Sequence, residues 1–184
     1  MKNSNHIAQV YNKYVDDMYT YAIYLGFNEY EVMDAIHDVF CHLCEKEINI
    51  QYVSTPKYYL FNALRNRLID ISRKSLEEIS FNSFSNIEFL FSELKENKES
   101  KLITEEEEVI IKQKINEMLS ILSPRQQEII YLRYIQECDY KQISEIMKID
   151  YENCRKLVYK AIQVLRKNFS IPLIPFIHFI FFVK

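Results

Sequence analysis

The chain of 184 residues contains a single glycine, Gly26, and this count restricts its fold more than any other feature. Phosphate-binding loops of the Walker and Rossmann kinds need two or more glycines, because only glycine lets the backbone approach a pyrophosphate closely. A β fold with many tight turns is also disfavoured, since the chain has only four prolines. The sequence therefore predicts an all-α protein without a nucleotide-binding loop.

Two helices are predicted in the first 46 residues. Apolar residues at helical spacing predict a helix from about residue 5 to residue 25, and Gly26 then suits a left-handed cap. Asn28, with Glu31 three residues later, is a capping-box pattern for a second helix that ends near Lys46. That second helix is apolar on more than one side, which indicates either a central position or a binding partner.

The third predicted helix begins at Thr55 and Pro56, residue types that favour the start of a helix. Between Lys57 and Lys74 it carries five basic residues against one acid, although the whole chain has a net charge of −3. Its apolar stripe predicts that it packs with the first two helices in one domain. Its outer face is predicted to present Asn62, Arg65, Asn66, Arg73 and Lys74.

The composition changes after residue 75. From Leu76 to Glu108 there are ten glutamates against three lysines, and helical periodicity is weak apart from a short helix expected around residues 87–94. Periodicity resumes near Ile111, and "SPRQ" then has the residue types of a capping box with proline at the first helical position. We therefore predict two small helical domains joined by an acidic linker. The predicted segments are the first domain, 1–75, the linker, 76–104, the second domain, 105–168, and a hydrophobic tail, 169–184.

The stretch "DYKQISEIMKIDYENCRKLVYK" predicts a helix-turn-helix. Asp139 and Gln142 begin a short helix, a three-residue break follows, and Asp150 begins a longer helix that runs to about Lys167. So tight a break makes the helices cross steeply, and the second helix can then enter a DNA major groove. An ordinary helical hairpin with a solvated basic face is the alternative. The residues expected to face outward are Tyr151, Glu152, Asn153, Arg155, Lys156, Tyr159 and Lys160.

The amino-terminal stretch "MKNSNHIAQV" lacks the apolar core of a signal peptide, so a cytoplasmic location is expected. In that compartment the four cysteines should be reduced thiols. His37, Cys41 and Cys44 recur on one helical face, but no second pair of ligands accompanies them elsewhere. Packing is therefore favoured over metal binding at these residues, and no metal or other cofactor is expected.

Two parts of the chain, in the right order, resemble bacterial sigma-70 factors of the extracytoplasmic-function (ECF) type. "LSPRQQEIIYLRYIQECDYKQISEIMKIDYENCRKLVYKAIQVLRK" is similar to the fourth domain of such factors. "DAIHDVF" and "YLFNALRNRLIDISRK" resemble helices of their second domain, with Asn66, Asp70 and Arg73 at matching places. The resemblance covers residues 7–74 and 105–167, and the acidic linker lies between them.

The resemblance implies a dissociable subunit of RNA polymerase rather than an enzyme. The second sigma domain would bind the clamp of core RNA polymerase and would read and open the −10 element of promoter DNA. The fourth sigma domain would contact the polymerase flap and the −35 element. An anti-sigma factor or another recruiting protein is a further candidate partner.

Three groups of residues would carry these roles. The group implied to bind core polymerase is Asp34, His37, Asp38 and Phe40. The group expected at −10 DNA is Tyr58, Tyr59, Asn62, Arg65, Asn66, Arg73 and Lys74. The group expected at −35 DNA is Lys141, Asn153, Arg155, Lys156, Tyr159 and Lys160. The two tyrosines at the −10 element can stack on unpaired bases, and core packing is the alternative for them.

The chain departs from the family pattern at four positions. His37 stands where the family usually has Gln, and Cys44 stands where Trp is common. Lys148 replaces the usual Gly of the helix-turn-helix break, which costs about 1 kcal/mol if the backbone there is left-handed. Leu157 replaces a common Arg in the reading helix. Recognition of the −35 element is therefore expected to be weak and to need help from a partner or from a strong −10 contact.

Two other functions are compatible with the sequence. One is a helix-turn-helix transcription regulator that does not act as a polymerase subunit, and co-purification with core polymerase separates it from a sigma factor. The other is a helical adaptor or anti-sigma-like binding module, whose basic faces would be plain solvent surface. DNA binding that falls steeply with salt would exclude the adaptor.

The tail, "FSIPLIPFIHFIFFVK", is apolar but is interrupted by Pro172 and Pro175. It is shorter than the roughly 20 residues that a membrane-spanning helix needs, so no stable membrane insertion is expected. Packing on one of the domains or docking of an inhibitory partner is favoured over contact with a membrane.

Overall fold

A computed structural model describes residues 2–46, 48, 50, 53–75 and 105–169. Within these ranges the chain is helical and contains no strand, which confirms the all-α prediction. The chain divides into two compact units, Met1–Ser83 and Phe84–Lys184. The helices are α1 (Lys2–Tyr24), α2 (Glu29–Glu45), α3 (Pro56–Ser75), α4 (Glu105–Ser120), α5 (Pro124–Ile130), α6 (Tyr140–Met147) and α7 (Tyr151–Asn168), with a π-helical turn (Tyr131–Ile135) after α5.

The corner between α1 and α2 is built around Gly26, as predicted. Its φ of 93° lies in the left-handed region, which glycine enters without steric cost. The N–H of Gly26 donates to the carbonyl of Ile23 at 2.9 Å, and the N–H of Phe27 donates to the carbonyl of Ala22 at 3.4 Å. These two hydrogen bonds form a Schellman cap, which ends α1 and turns the chain towards α2.

The predicted capping box begins α2. The N–H of Glu31 donates to Asn28 Oδ1, and the N–H of Asn28 donates to Glu31 Oε2, both at 3.0 Å. Two backbone donors that the helix itself cannot satisfy are therefore paired within four residues.

The helices α1, α2 and α3 pack against one another around a single apolar core. At its centre the rings of Tyr21 and Phe61 stack, with centroids 4.9 Å apart and an angle of 18° between the planes. Lys57 Nζ lies 2.7 Å from Asp17 Oδ2, so an ion pair also joins α3 to α1. The largest fully buried side chains of this unit are Met18, Tyr21, Ile36, Leu43, Ile50, Leu60, Phe61, Leu64 and Leu68.

In the second unit, α5 packs against α7 and against the π-helical turn, and α6 packs against α7. The N–H of Gln136 donates to the carbonyl of Tyr131 at 3.1 Å, and Gln136 Nε2 donates to the Tyr131 hydroxyl at 2.9 Å. Glu137 then takes a left-handed φ of 56°, and Arg133 Nη1 donates to the carbonyl of Cys138 at 2.8 Å. The sequence did not predict this connection, because its hydrogen bonds leave no periodic pattern.

The predicted helix-turn-helix is formed by α6, a three-residue break and α7. Asp139 caps α6 by accepting from the N–H of Gln142 at 2.8 Å. Lys148 has a φ of 53° and a ψ of 50°, so the break is left-handed at the position where the family usually has Gly. The Ser144 hydroxyl donates to the carbonyl of Ile149 at 2.7 Å and thereby fixes the turn.

Two helix starts differ from what was expected, and two expected features lie outside the described residues. The helix α1 begins at Lys2 rather than near residue 5, because its first turn has no apolar residue by which periodicity could detect it. Asp150 occupies the N-cap position of α7, but its side chain accepts from Asn153 Nδ2 at 3.3 Å and not from the backbone. The short helix expected around residues 87–94, and the tail from residue 170 onwards, lie outside the described residues.

Candidate nucleic-acid interface

The helix α7 buries one face and exposes the other. Its buried residues are Cys154, Val158, Ala161 and Leu165. All the residues predicted to face outward are exposed, namely Tyr151, Glu152, Asn153, Arg155, Lys156, Tyr159 and Lys160. Lys141, at the start of α6, is exposed as well. Helical spacing therefore predicted the exposed face of α7 correctly.

On the exposed face of α7, one basic side chain forms an ion pair with an acid and two do not. Arg155 Nη1 lies 3.4 Å from Glu152 Oε1, and both side chains are more than half exposed, so the pair contributes little energy. Neither Lys156 nor Lys160 forms an ion pair within the part of the chain that the structure describes. These two ammonium groups are thus available to an anionic ligand.

An aromatic array that the sequence did not predict lies at the start of α7. The rings of Tyr140 and Tyr151 meet edge to face, with centroids 5.9 Å apart, and the Arg133 guanidinium lies 4.9 Å from the Tyr140 ring centroid. Tyr151 is still 49% exposed. The partly exposed ring of Tyr151 is therefore held at the amino-terminal end of α7, the end that a helix-turn-helix directs towards a DNA groove. The only signal was a tyrosine at the first position of both helices.

In the first unit, a groove of about 540 Å³ runs between α2 and α3. Tyr59, Asn62 and Asn66 line it, and all three were expected at the −10 element. Asn66 Nδ2 donates to Asn62 Oδ1 at 3.1 Å. Asn66 Oδ1 and Arg67 Nε are buried and have no hydrogen-bond partner among the described residues. Two adjacent residues that line the groove, Asn66 and Arg67, thus each have a buried polar atom without a hydrogen-bond partner among the described residues.

The other residues expected at the −10 element lie in different environments. Arg65 was expected on the outer face of α3, but it is only 9% exposed, because α3 packs against both α1 and α2. Arg73 is exposed, and its Nη1 lies 4.0 Å from Asp70 Oδ1. Tyr58 is half-buried, and the side chain of Lys74 lies outside what the structure describes.

The acidic residues expected to bind polymerase are paired within the unit. Arg67, on α3, contacts the carboxylates of both Asp34 and Asp38 on α2, with Nη2 lying 3.7 Å from Asp34 Oδ2. Half of the Asp34 side chain and 40% of the Asp38 side chain remain exposed. The sequence indicated no role for Arg67, because its partners lie on another helix and no local pattern connects them.

Phe40 differs from the other residues expected to bind polymerase. It is only 7% exposed, and its ring packs edge to face on Tyr11 with centroids 5.0 Å apart, so it belongs to the core rather than to the accessible surface. His37 is exposed, and its Nε2 lies 3.3 Å from Cys41 Sγ. These residues line a hollow of about 400 Å³ together with Met33, which is 43% exposed.

The described residues show neither a metal site nor a membrane span. No three metal-binding side chains lie close enough together there to hold an ion. None of the helices in the described ranges is both long and apolar enough to cross a bilayer.

Two comparisons relate these surfaces to known proteins. Residues 112–165, which include the helix-turn-helix, match the family described as sigma-70, region 4. Over 164 residues the chain is 26% identical to the ECF RNA polymerase sigma factor SigM of Bacillus subtilis (strain 168). That match covers 89% of this chain and 95% of the relative, so it extends over both units. Both comparisons thus show that the chain is similar to sigma-70 factors, one over the helix-turn-helix and the other over most of its length. They agree with the resemblance to factors of the extracytoplasmic-function type found in the sequence.

Proposed function

We propose that this chain binds core RNA polymerase and selects promoters by contacting two DNA elements. Residues 1–75 are assigned to polymerase and to the −10 element, and residues 105–168 to the −35 element. The observation that carries the proposal is the exposed cationic face of α7, where Lys156 and Lys160 have no acidic partner within the described chain. Neutralising DNA phosphates with such groups releases counterions and so favours binding.

At the −35 element, the start of α7 would read bases and its lysines would bind the backbone. The amide of Asn153 can pair with adenine in the major groove, while Lys156 and Lys160 can reach guanine or phosphate oxygens. Lys141 and Tyr159 suit the phosphates beside the groove, because such contacts fix the register of the protein without reading sequence. Arg155 would first have to leave Glu152, which agrees with weak recognition of this element.

At the −10 element, the groove between α2 and α3 would hold an unpaired base. Tyr59 offers a ring for stacking, and Asn62 and Asn66 offer amide groups to a base edge. The unpaired Asn66 Oδ1 is the observation that supports this assignment. Arg73 is exposed and suits a phosphate, and Lys74 would assist it. Because Arg65 is buried, it would support α3 rather than contact DNA.

The exposed side of α2 would bind the polymerase clamp, while the second unit would contact the flap. Asp34 and His37 are exposed on α2, and Asp38 is partly so. Phe40 would act from beneath by holding α2 on Tyr11. An anti-sigma factor or another recruiting protein would compete for this same surface.

Transcription in vitro tests the proposal directly. The purified chain is mixed with sigma-free core polymerase and a pool of native promoter fragments, and transcript starts are mapped. We expect defined start sites that depend on the chain. If the chain neither binds core nor directs any start, the proposal is wrong; if it binds specific DNA without core, it is a helix-turn-helix regulator instead.

The cationic face of α7 has its own test. The double variant Lys156→Ala/Lys160→Ala should weaken promoter binding by the holoenzyme and lower the salt slope of log K by about one for each phosphate that is no longer neutralised. Lys13→Ala/Lys114→Ala is a matched control, since it removes two exposed lysines outside the helix-turn-helix. Equal weakening in the two double variants would mean that only total charge matters.

A further inference from the structure

Arg67 joins the two surfaces of the first unit that the proposed function assigns to different ligands. On one side its guanidinium contacts Asp34 and Asp38, which are assigned to polymerase. Arg67 also lines the groove between α2 and α3, which is assigned to the −10 element, and so does Asp38. A single side chain is therefore part of both assigned sites.

The nitrogen atoms of Arg67 are used unequally. Its outer nitrogen, Nη2, contacts the two carboxylates, which remain accessible to solvent. Its inner nitrogen, Nε, is buried and has no hydrogen-bond partner among the described residues, like the neighbouring Asn66 Oδ1. A buried donor without an acceptor is unfavourable, because folding has removed the water that would otherwise satisfy it. The present pairing of Arg67 thus leaves part of its capacity for hydrogen bonding unused.

The carboxylates would also attract a cation of a bound partner. A partner group that pairs with Asp34 and Asp38 must compete with Arg67, because one arginine already lies against both acids. Pairs as exposed as these are weak, so they can exchange partners at little cost. Once a partner binds Asp34 and Asp38, the Arg67 guanidinium can turn further into the groove. A phosphate or base oxygen there would supply the acceptor that Nε lacks.

We propose that Arg67 couples polymerase binding to capture of the −10 strand. The inference rests on the proposed function, since it takes from there which ligand belongs to which surface. In the free chain Asp34 and Asp38 hold the Nη2 end of Arg67, which keeps its guanidinium from pairing with a ligand in the groove; in the holoenzyme they bind polymerase and release it. The coupling is reciprocal, so DNA that draws Arg67 into the groove frees both acids for polymerase. The ion-pair cluster thereby acts as an intramolecular competitor of both ligands.

The test uses the full chain without polymerase and a fluorescent single strand from the −10 region of a promoter that the holoenzyme transcribes. Asp34→Asn/Asp38→Asn releases Arg67 and should tighten binding of this strand about fivefold or more, the lower range of typical couplings. Adding Arg67→Gln to that variant should abolish the gain. Asp16→Asn/Glu29→Gln is the control, because it makes the same change in charge at exposed residues that do not contact Arg67.

A second measurement keeps the test decisive if those variants fold poorly. Arg67→Lys retains a positive charge for the acids but lacks Nε, so the holoenzyme should bind core normally and capture the −10 strand less well. The coupling would be overturned if Arg67→Lys captured the −10 strand normally. It would also be overturned if Asp34→Asn/Asp38→Asn tightened binding of the strand no more than the control does, or if the tighter binding persisted after Arg67→Gln was added. Those results leave the proposed function intact if the wild-type holoenzyme still selects promoters, whereas absence of a holoenzyme would reject the proposed function itself.

Discussion

The hydroxyl of Ser144 donates a hydrogen bond of 2.7 Å to the carbonyl of Ile149, across the break between α6 and α7. The Ser144 carbonyl in turn accepts from the N–H of Ile149 at 3.3 Å. Ser144, on α6, is thus hydrogen-bonded to both the backbone N–H and the backbone carbonyl of Ile149, which leads into α7. The direction in which α7 leaves the turn depends on this pair of bonds.

Removing the Ser144 hydroxyl should therefore loosen the helix-turn-helix. We expect Ser144→Ala to lower the free energy of unfolding by about 1 kcal/mol, because the Ile149 carbonyl then keeps only the long contact of 4.0 Å with Cys154 Sγ as a side-chain partner. Urea unfolding followed by circular dichroism measures the change. Ser144→Thr keeps the hydroxyl and should be destabilised much less, so equal destabilisation of both variants would contradict the role of the hydrogen bond.

Lys148 should be replaceable by glycine with a gain in stability. It is held at a φ of 53°, which a residue with a Cβ enters only at a cost. Lys148→Gly should raise the free energy of unfolding by about 0.5–1 kcal/mol. Glu145→Gly, inside α6, is the matched control and should lower it by up to about 1 kcal/mol. Effects of the same sign at both positions would show that the left-handed backbone is not the cause.

The stacked pair of Tyr21 and Phe61 should dominate the stability of the first unit. Both side chains are fully buried, so Phe61→Ala leaves a cavity and should cost about 3–5 kcal/mol. Phe61→Leu retains more of the volume and should cost less. Tyr30→Ala is the control, because Tyr30 is 83% exposed and should change stability by less than about 0.5 kcal/mol. Denaturation of the three variants by urea provides the comparison.

Cys154 should make stability depend on alkaline pH. Burial raises the pKa of its thiol above the ordinary value; a hydrogen bond with the backbone opposes this in part, and the nearby charge of Asp150 adds to it. The folded state therefore favours the protonated thiol, which gives a contribution to stability that is present below the unfolded-state pKa and lost as pH rises through the folded-state pKa.

Near neutral pH, the free energies of unfolding of wild type and Cys154→Ala should accordingly differ by a constant amount. Above about pH 9 the wild type should lose stability relative to the variant, so this difference should shift in favour of the variant. Urea unfolding at several pH values measures it. Cys44→Ala serves as the control, because Cys44 is exposed. A difference that does not change with pH would mean that the thiol titrates alike in the folded and unfolded states.

Features that depend on neighbouring residues could be predicted from the sequence, and those that depend on distant ones could not. The capping box of Asn28 and Glu31 was predicted because both hydrogen bonds close within four residues. The exposed face of α7 followed from helical spacing alone. Arg67 was missed because its acids lie on α2, and Arg65 was misplaced because packing of α3 on two helices leaves little of its surface outside.

Glu137 and Lys148 place a strained backbone just before and just after α6, which has only eight residues. A helix of that length cannot persist alone, so α6 depends on its packing against neighbouring segments. Local opening should therefore begin at α6, and its amide protons should exchange sooner than those of α7. If the helix-turn-helix binds promoter DNA as proposed, we expect proteases to cut the free chain near α6 and the DNA-bound chain much more slowly. The lifetime of the protein in the cell would then increase with the fraction that is bound to DNA.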